Sequence, residues 1–186
     1  MSAGEERGRG DRHSAETPAP RLTAVLGDIT TVHVDAVVNA ANRALAGGGG
    51  VDGAIHRAAR AATLRAACRA LGGCDPGDAK ATPGFGLPAR WIVHTVGPVW
   101  SGGGGGERAL LASCYRHSFE VAEVLGARSI AFPAIATGVY AFPPDLAAGI
   151  AVRTLRSLRS AVLREVLLVA FDPSTLAHYR HHLGIV

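Results

Sequence analysis

The chain is short of aromatic side chains, of lysine and of cysteine, and it contains no long apolar run. Phe, Tyr and Trp together make up 5% of its 186 residues. A core must therefore come from aliphatic side chains, which a hydrophobic content of 48% supplies. No apolar stretch approaches the roughly 20 residues a helix needs to cross a bilayer. The first twenty residues, rich in Gly, Glu, Arg, Ser and Pro, lack the apolar segment of a secretory signal. They are expected to form a disordered tail, residues 1–20, ahead of one domain over residues 21–186. No membrane partner is implied, and a cytoplasmic location is expected. The three cysteines, Cys68, Cys74 and Cys114, have no metal spacing and leave one unpaired, which fits a reducing compartment.

Only one of the nineteen basic residues is lysine. Codon preference accounts for this. A sharper reading is affinity for phosphate or nucleic acid, because Arg pairs with phosphate through two prongs. The net charge is +4, and the tail holds three Arg against four acids, so the domain itself carries +5. That favours anionic partners. The interleaving of aromatic and basic residues that marks a nucleic-acid groove is absent.

What is present is an alternation of strand-like and helix-like segments. Strands are expected at 22–26, 34–41, 79–82, 91–96, 129–135 and 165–171. Helices are expected at 52–71, 107–125, 143–158 and 173–181. Strands alternating with helices mean an α/β fold with a largely parallel sheet. Ligands of such sheets bind beyond the carboxyl ends of the strands. Two glycine-bearing loops fall there, Gly47–Gly50 after the second strand and Thr137-Gly138 after the fifth. A third glycine run, Ser101–Gly106, reads as a flexible loop.

The first loop leads into a helix with Asp52 in its opening turn. Glycines allow close approach to the backbone, and a helix N-terminus offers unpaired N–H groups to an anion. No Gly-Lys-Ser/Thr follows, so this is not a Walker loop, and the acid of a dinucleotide fingerprint is missing. An acid beside an anion-attracting loop needs explaining. Helix capping accounts for an acid in a first turn but not for one beside four glycines.

Five motifs occur in order: Gly27-Asp28-Ile29-Thr30, Asn39-Ala40-Ala41-Asn42, Gly47–Arg57, His94–Pro98 and Ala136–Tyr140. Together they resemble the macrodomain family, and within it the MacroD-type ADP-ribosyl hydrolases, over residues 22–171. The resemblance implies a three-layer α/β/α macrodomain with a mixed, largely parallel six-stranded sheet and ADP-ribose in a cleft at the strand ends. It implies that Asp28 accepts from the adenine amine, with Ile29 as a neighbouring wall and Phe171 stacked on the base. Asn42 and Asp52 match the catalytic pair around the distal ribose. Gly48, Gly49, Gly50, Val51 and Gly53 surround that ribose and the diphosphate. Ala136, Thr137, Gly138, Val139 and Tyr140 form a second clamp, and Phe142 lines the distal pocket. For Asp28 the competing reading is a turn or cap residue, and for both phenylalanines it is core packing.

The implied activity is removal of mono-ADP-ribose from modified proteins through ester-linked Asp or Glu, and cleavage of O-acetyl-ADP-ribose, with water attacking at the distal ribose. No metal and no cofactor is implied. ADP-ribose is ligand and product, ADP-ribosylated proteins are partners, and a monomer is expected. Two alternatives stand beside this, a non-catalytic reader of ADP-ribose and a hydrolase of ADP-ribosylated DNA. The chain departs from the branch at Ala136, where Ser is usual, and at Ala141-Phe142, where Gly-Tyr is common. His56 is expected to pack beneath the glycine loop and His94 to be structural. His178, His181 and His182, with no acid at metal spacing, read as a solvated tail.

Overall fold

The structure, a computed structural model, describes residues 17–185. The disordered tail expected for residues 1–20 falls mostly on residues 1–16, outside the described residues. Residues 17–20 carry no regular structure, and the Pro18 carbonyl accepts from the Ser160 N–H at 3.1 Å.

Six strands form one sheet: β1 (Arg21–Leu26), β2 (Ala36–Ala40), β3 (Ala79–Pro83), β4 (Trp91–Thr95), β5 (Ser129–Phe132) and β6 (Glu165–Ala170). Their order is β1-β6-β5-β2-β4-β3. All neighbours pair in parallel except β3, which runs antiparallel to β4 at the edge. The carboxyl ends of β1, β6, β5, β2 and β4 therefore share one rim of the sheet. The central strands read as near-continuous apolar runs because both faces are covered. Helices α1 (Gly50–Ala58) and α2 (Ala61–Ala70) cover one face, where Ile55, Leu64 and Cys68 pack on Val37, Ile92 and Val96. Helices α3 (Glu107–Val124), α4 (Pro144–Ser157) and α5 (Pro173–Leu183) cover the other, with Leu111, Phe119, Ala151 and Tyr179 against Val38, Val93 and Leu168. This is the three-layer α/β/α arrangement with a mixed six-stranded sheet that the sequence implied.

The single helix expected over 52–71 is two helices. Arg60 takes a left-handed conformation, with φ of 62°, and separates α1 from α2. The physical reason is visible in the apolar spacing. Ile55 and Ala59 are four apart, as are Leu64 and Cys68, but Ala59 to Leu64 is a step of five. One uninterrupted helix would place the second pair, nine residues on from the first, about 180° away on the opposite face. The break turns both pairs onto the sheet, and all four are buried.

The glycine run Ser101–Gly106 also differs from the free loop expected. The Glu107 carboxylate accepts from the Ser101 N–H, the Ser101 hydroxyl, and the Gly103 and Gly105 N–H groups, at 2.7–3.1 Å. Glu107 is itself buried, at 3% exposure. The segment wraps a carboxylate rather than hanging free. The C-terminal histidines are likewise not a solvated tail. They lie on α5, where His178 and His182 reach the Asp145 carboxylate of α4 at 3.2 and 3.1 Å.

Candidate active site

The parallel rim dictates where the predicted residues meet. Asn42 follows β2, Gly97 follows β4, Ala134 and Ala136 follow β5, and Asp28 and Phe171 follow β1 and β6. A cavity of about 210 Å³ opens between the first glycine loop and the loop after β5. Its lining brings together Asn42, Gly48, Gly49, Gly50, Val51 and Asp52 from one side and Ala136, Gly138, Val139 and Tyr140 from the other. A wider hollow of about 630 Å³ lies over α5, lined by residues such as Leu176, Ala177 and Ile185. It has no buried polar group, so the chemistry belongs to the smaller cavity.

The first loop is held from beneath. The Asn42 amide donates to the Gly47 carbonyl at 2.9 Å, and its oxygen accepts from the Ala46 N–H at 3.2 Å. That fixes the approach to the glycines while Asn42 still faces the cavity. A Cβ on Gly53 would lie 2.5 Å from the Gly48 carbonyl oxygen, so only glycine lets α1 close on the loop. A Cβ on Gly49 meets nothing within 4 Å, which leaves that backbone open for a ligand. Among the described residues, none accepts from the N–H groups of Gly48, Gly49, Gly50 or Val51 beyond the helix's own bonding. Open amides at a helix N-terminus form an anion site.

The second loop is shaped by its own hydrogen bonds. Phe142 N–H donates to the Ala136 carbonyl and Ala141 N–H to the Gly138 carbonyl, at 3.0 and 2.9 Å. The Thr137 hydroxyl donates to the Ala134 carbonyl. Ala136 and Ala141 both sit at positive φ, 66° and 53°. Among the described residues, none accepts from the Thr137, Gly138, Val139 or Tyr140 N–H groups. Two loops with unpaired amides thus flank the cavity, an arrangement that suits a diphosphate.

Asp52 lies at the base of the first loop, 5% exposed. Its Oδ1 accepts from the Asn39 amide at 2.8 Å, and His56 Nε2, one turn on, stands 3.4 Å from the same oxygen. Among the described residues, no aligned hydrogen bond forms to either His56 nitrogen. Oδ2 points to the loop, 3.3 Å from where a Cβ on Gly48 would sit. Burial pushes the Asp52 carboxyl above its ordinary range, and the Asn39 hydrogen bond and His56 draw it part of the way back. The acid does not sit among the loop amides; it is turned inward and held by a side chain from β2.

Several expected site residues lie outside the cavity lining. Asp28 caps the short turn after β1, its Oδ1 accepting from the Thr30 N–H and hydroxyl at 2.9 and 2.7 Å, and the residue is exposed. Capping, the competing reading, is the role the structure shows for it. Phe171 is 85% exposed. The Gly27 N–H donates to the Ala170 carbonyl, which sets Asp28 and Phe171 on adjacent chain segments at the β1–β6 end of the rim. Ile29 is buried against Val34 and Val37. Phe142 is 1% exposed and packs on Trp100, ring centroids 4.6 Å apart, so it supports the second loop from behind. Thr137 and Gly53 shape their loops without lining the cavity.

The sequence reading missed what lies under Asp52. Asn39, His94 and Thr82 are all buried and linked in a chain to the carboxylate. The available signal was a polar residue interrupting each apolar strand, Asn39 between Val37 and Ala41, and His94 between Ile92 and Val96. Among the described residues no group of three or more His, Cys, Asp or Glu is placed to hold a metal ion.

Comparison with known proteins agrees with this geometry. The family model described as Macro domain matches residues 38–151. A macro domain-containing protein of Ralstonia nicotianae is 59% identical over 167 residues, covering 90% of this chain and 96% of that protein. A Klebsiella pneumoniae protein named O-acetyl-ADP-ribose deacetylase is 53% identical, covering 86% and 94%. The Oceanobacillus iheyensis macrodomain solved with ADP superposes with a TM-score of 0.80 at 41% identity, covering 87% and 88%. The Trypanosoma brucei macrodomain in complex with ADP-ribose gives 0.80 at 38%, covering 87% and 69%. The chain belongs to the macrodomain family.

Proposed function

We propose that this chain binds ADP-ribose and hydrolyses the bond joining it to a modified target, with O-acetyl-ADP-ribose and ester-linked Asp or Glu on proteins as substrates. The observation that carries the reading is Asp52, a buried carboxylate at the floor of the cavity with one oxygen held by Asn39 and the other turned to the glycine loop. A module that only reads ADP-ribose gains nothing from a carboxylate kept at the cost of burial next to a diphosphate site. The relatives named O-acetyl-ADP-ribose deacetylase, and the macrodomains solved with ADP and ADP-ribose, support both the ligand and the class of reaction.

The ligand runs along the rim. Adenine lies at the β1–β6 end between Asp28 and Phe171, with Asp28 Oδ2 free to accept from the amine. The diphosphate lies between the facing amides of Gly48–Val51 and Thr137–Tyr140. The distal ribose lies over Asn42 and Asp52. Strands about 4.8 Å apart place the β1 and β2 ends about 15 Å from each other, a span that suits an extended dinucleotide-like molecule.

For an ester-linked target, Asp52 Oδ2 accepts a hydrogen bond from a water and takes its proton as the oxygen attacks the anomeric carbon. The bond from that carbon to the ester oxygen breaks, and the target carboxylate leaves with the bonding pair. The proton returns to solvent from Asp52. The raised carboxyl suits a group that must both take and release a proton.

The experiment measures ADP-ribose release by mass spectrometry from a Glu-linked peptide, a Ser-linked peptide, O-acetyl-ADP-ribose and an ADP-ribosylated oligonucleotide, for wild type and Asp52→Asn. ADP-ribose affinity is measured alongside by calorimetry. Release by the wild type that Asp52→Asn loses, with affinity kept, supports the proposal. Tight binding without release from any substrate makes the chain a reader. Release from the oligonucleotide alone, steeply weakened by salt, moves the substrate to nucleic acid.

A further inference from the structure

Beneath Asp52 lies a directional chain of buried groups that crosses three strands. Asn39 on β2 and His94 on β4 are register partners, both with no exposure, and Thr82 on β3 is 3% exposed. All three point to the face covered by α1 and α2, among Val37, Ile92, Leu64 and Cys68. Polar side chains in such surroundings are unfavourable unless their hydrogen bonds are made.

The donors can be counted. The Asn39 amide nitrogen has two hydrogens and two partners, Asp52 Oδ1 at 2.8 Å and His94 Nδ1 at 3.1 Å. His94 Nδ1 must then accept, so the ring carries its hydrogen on Nε2. That hydrogen meets the Thr82 hydroxyl oxygen at 3.0 Å. The ring is kept neutral, its pKa pushed down to about 4 by burial and then by nearby His56. A neutral ring of this tautomer is what lets Nδ1 accept. Donation therefore runs outward from Asn39 on both sides, to Asp52 Oδ1 directly and through His94 to the Thr82 hydroxyl as terminal acceptor, so the His94 bond locks the Asn39 amide with its other hydrogen aimed at Asp52.

We infer that Asn39 is the positioning residue of this site: through its bond to Asp52 Oδ1, held in turn by His94 and Thr82, it fixes the carboxylate with Oδ2 turned to the cleft. The inference rests on the reading of Asp52 given above. Asn39 touches no cavity space itself and acts only through Asp52.

Other groups bear on Asp52 and must be held apart in the test. His56 approaches from the same helix at 3.4 Å. His94 faces it from β4 across Asn39. The Cys68 thiol approaches from α2, pushed up to about 11 by its burial and by the Asp52 charge. Cys68 is therefore a neutral neighbour over the range of interest.

The test follows the titration of the Asp52 carboxyl carbon by NMR, and in parallel the acid limb of kcat/KM against pH. The proteins are wild type, Asn39→Ala, Thr82→Val and Thr82→Ser, with Asn39→Ala repeated in a His56→Gln background. Asn39→Ala is expected to move both the titration and the acid limb to higher pH, and to lower kcat by about 10-fold or more, with ADP-ribose affinity within about 2-fold. Thr82→Val keeps the shape of the side chain but removes the acceptor, and shifts both readouts the same way by less. Thr82→Ser restores them. A shift that survives in the His56→Gln background assigns it to the amide rather than to the histidine charge.

Asn39→Ala that lowers activity while leaving the titration unmoved overturns the inference and makes Asn39 a packing residue. Equal behaviour of Thr82→Val and Thr82→Ser removes Thr82 from the chain. If the titration moves as expected but the wild type releases no ADP-ribose, the positioning holds and the hydrolase reading fails.

Discussion

Two glycine runs in this chain look alike on paper and end up opposite. Gly47–Gly50 leads into α1 with Asp52 in its first turn, and Ser101–Gly106 leads into α3 with Glu107 in its first turn. In the second, the carboxylate turns back and accepts four hydrogen bonds from the loop. Its pKa falls to about 2, chiefly through the Ser101 hydroxyl and then backbone amides. That loop has its anion built in. In the first, Asn39 holds one carboxylate oxygen beneath the loop, among the described residues no loop N–H donates to either oxygen, and the pKa rises through burial. The same local sequence grammar gives a closed structural knot in one place and a loop with unpaired amides in the other. What decides is whether a neighbouring strand offers the acid a better donor than its own loop does.

The largest effect should come from removing the acid at the open loop. Asp52→Asn is expected to lower kcat by about 10²–10⁴-fold, the range for a proton-transferring side chain, while ADP-ribose affinity holds or improves. The raised carboxyl also makes a stability prediction. Its folded pKa lies above the unfolded value of 3.8, so ionisation destabilises the fold as pH rises through the folded pKa. Asp52→Asn should therefore melt higher than wild type at neutral pH, with the gap closing as pH falls toward 3.8. Equal melting temperatures throughout would mean that burial imposes no strain on this carboxylate.

Acid should separate the two regions next. His94 has a folded pKa of about 4 against an ordinary 6.5. The unfolded chain takes up the proton first, so stability is lost as pH falls from 6.5 through 4, by about 3 kcal/mol for this group. Asp52 works the other way in the lower part of that window, because its protonation relieves a buried charge. His94→Gln should flatten the wild-type slope between pH 6.5 and 4 in urea titrations. Glu107, depressed rather than raised, should hold its loop throughout that window. A wild-type slope that His94→Gln leaves intact would place the acid sensitivity elsewhere.

A smaller difference should appear within the open loop itself. Gly53→Ala puts a methyl 2.5 Å from the Gly48 carbonyl and should lower stability by about 1–3 kcal/mol. Gly49→Ala meets no atom within 4 Å and sits at an ordinary φ of −91°, so it should lose less than about 1 kcal/mol, from the poorer helix cap alone. Chemical denaturation of the two variants decides this, and the reverse order would mean the loop moves aside freely.

Much of this was readable from the residues. The alternation of apolar strands and helices gave the sheet and its layers, because strands covered on both faces need continuous apolar runs. The ordered motifs put Asn42, Asp52 and the two glycine-bearing loops at one rim, where the structure also has them, since loops after parallel strands must meet there. What escaped was set by pairing across distance. Asn39, His94 and Thr82 meet only because β2, β4 and β3 are neighbours, and one chain position carries no trace of its register partner. The break at Arg60 was legible in the five-residue step from Ala59 to Leu64. Glu107 was not, because first-turn acids after glycine read the same whether they face inward or outward.

The smallest expected effect lies at the closed loop, and it is the sharpest check on the contrast. Glu107→Gln keeps the size of the side chain but turns one acceptor into a donor aimed at an N–H group. Amide exchange at Ser101, Gly103 and Gly105 should rise clearly, and the protein should melt lower at neutral pH. The depressed pKa means that the carboxylate's contribution is fully present above the unfolded value of 4.5 and is lost as pH falls through about 2. The wild type and Glu107→Gln should therefore converge in stability only below that window. Ligand affinity should change by less than about 2-fold, because the knot reaches the second clamp indirectly, through Trp100, whose N–H donates to the Tyr140 carbonyl and whose ring packs on Phe142. A large loss of ADP-ribose affinity in Glu107→Gln would break the contrast. It would show that the closed loop sets the position of the second clamp through Trp100 and Tyr140, and that the two glycine runs work as one site.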